Sequence, residues 1–81
     1  MRNIDYRKSQ DYLIRDEGEN KLLYNLVTRQ IIILPPHAFR IWELIENKNE
    51  LNDYLDDFRF EESLISNLIK DFLKKGLIRE R

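Results

Sequence analysis

The stretch Gln30-Ile31-Ile32-Ile33-Leu34-Pro35-Pro36 divides this chain into a sheet half and a helical half. Three consecutive isoleucines crowd the turns of a helix but suit a pleated strand, so residues 30–34 read as a strand. Neither proline can donate to a ladder, and both hold φ near the value that opens a helix. The strand therefore stops at Leu34 and a helix begins around Pro36. Before that point apolar side chains alternate; after it they recur with a helical period.

Upstream, residues 1–11 are polar and aperiodic and read as a flexible lead-in, leaving residues 12–81 as a single domain. Tyr12 to Arg15 is a first strand, and Asp16 to Asn20 a polar turn in which Gly18 supplies positive φ. Lys21 to Val27 is a second strand, with Leu22, Tyr24 and Leu26 on one face and Leu23, Asn25 and Val27 on the other. Thr28-Arg29 then forms a tight turn into the isoleucine strand. Three short strands joined by tight turns make an antiparallel meander, with the first and third strands as edges.

Downstream, Ala38, Ile41, Trp42 and Ile45 follow the i, i+3, i+4, i+7 rule, and Trp42 reads as a core anchor. Asn47-Lys48-Asn49 interrupts the helix, and Asn49 is suited to cap the next one, where Leu51, Tyr54, Leu55 and Phe58 keep the same spacing. A third helix spans Glu61 to Lys75 and ends at Gly76, the residue type that takes a left-handed cap. Its apolar positions Leu64, Ile65, Leu68, Ile69, Phe72 and Leu73 cover about half the circumference, wider than one core needs. The pattern is open to two readings: a broad core face, or one border lining a groove. One border runs along Leu64, Leu68, Asp71 and Lys75, the other along Ser66, Ile69, Lys70 and Leu73. The fold class is α+β: a three-stranded antiparallel sheet followed by three helices (βββααα), with the helices packed on one face.

Composition narrows the function. At 42% hydrophobic residues a globular core is affordable despite 36% charged residues. Fourteen basic against fifteen acidic side chains leave no overall attraction to nucleic acid or anionic membrane. With no cysteine there are no disulfides, thiolate metal sites or thiol catalysis. His37 is the only histidine and sits in an exposed first turn, and the two glycines form no phosphate loop. These features point away from an enzyme, and no catalytic residue, cofactor or metal is expected. Without a membrane-length apolar run or a signal-peptide core, a cytoplasmic protein is expected.

The isoleucine strand is the most apolar of the three and carries no charge or proline inside it. Such an edge is a template for another chain, so proteins cover it or reserve it for a partner. Strand addition would pair an extended peptide with Gln30, Ile31, Ile32, Ile33 and Leu34. A proline at Ile32 is then expected to abolish binding by removing a ladder donor.

The run from Leu22 to Leu55, LLYNLVTRQIIILPPHAFRIWELIENKNELNDYL, with Leu64 to Ile78, LISNLIKDFLKKGLI, resembles the PqqD-like recognition elements of ribosomal peptide natural-product pathways. Ala38, Ile41, Trp42, Leu44, Phe72, Gly76 and Leu77 carry the likeness, which spans roughly residues 12 to 79. The resemblance implies a stand-alone winged helix-turn-helix-like domain that binds the leader segment of a precursor peptide. The leader would add as a strand at residues 30–34 and lie along Leu64, Leu68, Asp71 and Lys75. The domain would then deliver the precursor to a separate modifying enzyme, such as a radical SAM maturase or a lasso-peptide leader protease. Three positions depart from the pattern. Arg29 stands where the family often has glycine, which suggests a turn without positive φ. Pro35 replaces a capping asparagine, and Leu64 an acidic residue, which is expected to change leader preference or to shift the polar contact to Glu61.

FLKKGLIRER also looks like the end of a recognition helix and first wing strand of a winged-helix DNA-binding regulator. Against this, the chain ends three residues after Ile78, too soon for a returning wing strand, and Glu61, Glu62 and Asp71 dilute the lysines of the third helix. Peptide recognition is the preferred expectation, with no nucleic acid or membrane partner. The protein is expected to be a monomer or a dimer joined edge to edge through the isoleucine strand.

Overall fold

The computed structural model describes residues 5–80. The chain runs β1 (Tyr6–Lys8), β2 (Tyr12–Glu17), β3 (Asn20–Asn25), β4 (Ile31–Leu34), α1 (Pro36–Leu44), α2 (Lys48–Asp57), α3 (Glu62–Lys74) and β5 (Ile78–Glu80). It is an α+β architecture in which β2-β3-β4 form a three-stranded antiparallel meander and β1-β5 a separate two-stranded ribbon. The alternation in β3 sends Leu23 into the core, where Ile32 and Leu34 of β4 join it, while the opposite face points to solvent.

The core is built where the helical stripes meet that inner face. Ala38, Ile41, Trp42 and Leu44 of α1, Leu51 and Leu55 of α2, and Ile65 and Phe72 of α3 are all buried. Pro36 occupies the first turn of α1, where its missing N–H costs nothing, and Pro35 is the N-cap without a side-chain bond. At the end of α3, Leu77 N–H donates to Phe72 C=O at 2.9 Å and Gly76 N–H to Leu73 C=O at 3.2 Å. With Gly76 at φ 72° this is a Schellman cap, and it turns Leu77 and Ile78 back into the core. Trp42 Nε1–H donates to Leu77 C=O at 3.0 Å, so its ring both fills the core and secures the chain reversal.

The structure differs from the sequence-based expectation in several places. Asp16 and Glu17 extend β2 and Asn20 opens β3, so the expected turn over Asp16 to Asn20 shrinks to Gly18-Glu19. No element was expected before Tyr12, yet β1 pairs with β5 in the register Tyr6↔Glu80 and Lys8↔Ile78. The ribbon is held by Ser9 N–H to Leu77 C=O at 2.9 Å, and three residues carry no readable period of their own. The rest of the lead-in expectation, over residues 1–4, lies outside the described residues. The cap of α2 is Asn47 rather than Asn49: Asn47 Oδ1 accepts from Glu50 N–H at 3.1 Å, so Asn49 is already inside the helix. Finally, β3 stops at Asn25, and Leu26 and Val27 are exposed turn residues.

Candidate functional site

Which backbone groups of β4 are free follows from the phase of the ladders. Leu26 N–H donates to Asp11 C=O at 2.8 Å beyond the β2–β3 pair, and Asn25 N–H to Gln30 C=O at 2.9 Å beyond the β3–β4 pair. Hydrogen-bonded pairs in an antiparallel ladder recur at every second residue. In β3, therefore, Leu22 and Tyr24 bond toward β2, while Lys21 and Leu23 bond toward Leu34 and Ile32 of β4. Ile31 and Ile33 are left with N–H and C=O groups directed away from the sheet. Among the described residues no strand pairs on that side of β4.

The side chains of the same two residues face out as well. Ile31 is 61% and Ile33 53% exposed, whereas Ile32 and Leu34 are buried. They end two cross-strand rows on the outer sheet face, Leu13–Tyr24–Ile31 and Arg15–Leu22–Ile33. Leu13, Leu22 and Tyr24 thus extend the candidate surface, and the period-two pattern of their strands was the signal for them. Gln30 is not part of β4; its N–H donates to Thr28 Oγ1 at 3.3 Å within the preceding turn.

Both ends of the free edge are closed by local chemistry. Asn25 Oδ1 accepts from the N–H groups of Val27 and Thr28, at 2.8 and 3.0 Å, and Arg29 N–H returns to Asn25 C=O at 2.8 Å. Arg29 takes φ 63°, which corrects the expectation of a turn without positive φ. The five-residue connection, Leu26 to Gln30, must swing back into register with β3, and that closure outweighs the preference of a side-chain-bearing residue. At the other end Pro35 has no N–H, and its C=O accepts from Phe39 N–H at 2.9 Å.

On α3, Leu64 is exposed, Leu68 packs half-buried against the core cluster, and Asp71 Oδ2 pairs with Lys75 Nζ at 2.9 Å. The opposite border of the helix lines a groove of about 430 Å³ with Ile65, Ile69 and Leu73 on one wall and Ile45 and Leu51 on the other. Tyr6 of β1 and Glu80 of β5 also line it, residues that only the unanticipated ribbon brings there. The four expected helix contacts line the other border, so the groove and those contacts are on different sides of α3.

His37 is exposed and structural in its contacts. Its Nδ1 lies 2.6 Å from Tyr54 Oη, and its ring meets Phe58 and Phe60 edge-on at 4.8 and 5.3 Å between centroids. Burial raises the Tyr54 hydroxyl above its usual pKa, against the opposing pull of Arg40. Among the described residues no three His, Asp or Glu side chains come together as a metal-holding group, and no helix is long and apolar enough to cross a membrane. Comparison of the chain with protein-family models, with curated proteins and with solved structures returns no match.

Proposed function

We propose that this chain is a peptide-recognition protein with a winged-helix-like fold, not an enzyme. It binds the leader region of a ribosomally made precursor by strand addition to β4 and hands it to a separate modifying enzyme. The observation that carries the reading is the unpaired edge at Ile31 and Ile33, uncharged and flanked by an apolar sheet face. The resemblance to PqqD-like elements over the same stretch gives the ligand class. Two residues with outward N–H and C=O groups can make four backbone bonds, about 1 kcal/mol net each. Micromolar binding needs about −8 kcal/mol, so side-chain burial must supply the remainder. The exposed rows behind Ile31 and Ile33 offer apolar surface for it, and Leu64, Leu68, Asp71 and Lys75 are the proposed helix contacts.

The test is a titration with a synthetic leader from a precursor gene adjacent to this one, followed by amide NMR. Micromolar binding that perturbs the Ile31 and Ile33 amides most strongly among β4 residues is the expected result. Binding that instead requires duplex DNA and falls steeply with salt would assign the fold to a transcription regulator.

A further inference from the structure

We infer that two copies of this chain pair through β4 into one continuous sheet, three strands from each, with Ile31 of one copy opposite Ile33 of the other. The edge is self-complementary in that register and in no neighbouring one. Antiparallel pairing about a two-fold axis at Ile32 sets the outward groups of Ile31 against those of Ile33 twice, closing four backbone bonds. Sliding one copy so that Ile31 faces Ile31 would call on Arg29, which is committed to the turn at φ 63° with its N–H on Asn25. Sliding the other way, so that Ile33 faces Ile33, would call on Pro35, which has no N–H and whose C=O is held by Phe39.

Side chains and charge agree with the second copy as occupant. Opposed residues in an antiparallel pair point to one face, so each exposed Ile31 would cover the other copy's Ile33, extending both outer rows across the axis. No residue of β4 is charged, and a formal net charge of −1 gives little repulsion between copies. The usual devices against edge pairing, an inward charge, a lysine or a proline within the strand, are absent from Ile31–Leu34. Four bonds and two isoleucine pairs make a weak complex, with a dissociation constant on the order of 0.1–1 mM. Self-pairing uses the same groups as the strand addition proposed above, so the two would exclude each other. The dimer itself does not rest on that reading.

Sedimentation equilibrium of the full chain without peptide, from about 0.05 to about 2 mM, brackets that constant. The expected result is an average mass rising from the 10.0 kDa of the monomer toward twice that value. Ile31→Lys with Ile33→Lys sets like charges opposite each other and should hold the protein monomeric. Ile31→Lys with Ile33→Asp sets opposite charges across each pair and should restore the mass increase. Should either variant fail to fold, amide exchange of the wild type decides: Ile31 and Ile33 gain protection with concentration while Ile32 does not. A wild type that stays monomeric, a dimer indifferent to the two-lysine variant, no restoration by the lysine–aspartate variant, or unchanged amide exchange would each overturn the inference. Because no peptide is present, failure here leaves the leader-binding proposal standing, and the reverse.

Discussion

Proline placed at successive positions of β4 separates the bonds that build the sheet from those that its edge leaves free. Ile32 N–H points at Leu23 C=O, and Leu23 is fully buried. Ile32→Pro removes that donor and strands a buried acceptor, which costs about 1–3 kcal/mol. It also trims a side chain that is 7% exposed, for about 1 kcal/mol more. For a domain of this size that lowers the melting temperature by roughly 10–30 °C. Ile33→Pro removes an N–H that has no partner in the sheet and a side chain already half exposed, so it should cost less than about 1 kcal/mol. Its effect falls on the added strand: one of four bonds is lost, which weakens leader binding at least about fivefold. The substitution that the sequence suggests, Ile32→Pro, would thus damage the fold and say little about docking. The assay is a thermal melt of both variants followed by a fluorescence anisotropy titration of the one that stays folded. Equal loss of stability in the two variants would refute the ladder phase. A folded Ile33→Pro protein with undiminished leader affinity would refute strand addition at this edge.

Arg29→Gly removes the penalty of a side chain at φ 63° and should raise the melting temperature by a few degrees, about 0.5–1 kcal/mol after the added backbone entropy; a decrease would show that the arginine side chain stabilises the turn. Trp42→Phe loses the bond to Leu77 C=O but leaves that oxygen its Ser9 N–H, so the cost is about 2–3 kcal/mol from one bond and lost volume. An unchanged melting temperature would remove Trp42 from its anchoring role. Tyr54 predicts a pH effect whose sign follows from its raised pKa: the folded state favours the neutral phenol, so stability is full below about pH 10 and declines as pH rises through the raised value. Denaturant midpoints between pH 8 and 11 test this, and Tyr54→Phe should lessen the decline.

The meander and the three helices were legible because each rests on a local period. Alternation from Leu22 to Asn25 marks a half-buried strand, and Ala38, Ile41, Trp42 and Ile45 mark a helix face, whatever they later touch. Caps were half legible: Gly76 is alone at its helix end, whereas Asn47 and Asn49 compete within three residues and only the hydrogen bond to Glu50 decides. The groove on α3 was not legible, since the helix wheel gives two equivalent borders and a long-range ribbon, Tyr6 with Glu80, selects one.

By itself the sequence determined that the isoleucines up to Leu34 form an apolar strand stopped by Pro35 and Pro36, that it lies at a sheet edge, and that Ile31 and Ile33 share a face. Side-chain type and a period of two suffice for that. Only the tertiary structure decided that the shared face is the exposed one and that the backbone groups of the same two residues point outward. Either ladder phase satisfies the same alternation. The choice was made by closure of the Leu26–Gln30 connection and by the pairing of β3 with both neighbours, contacts that no stretch of β4 contains.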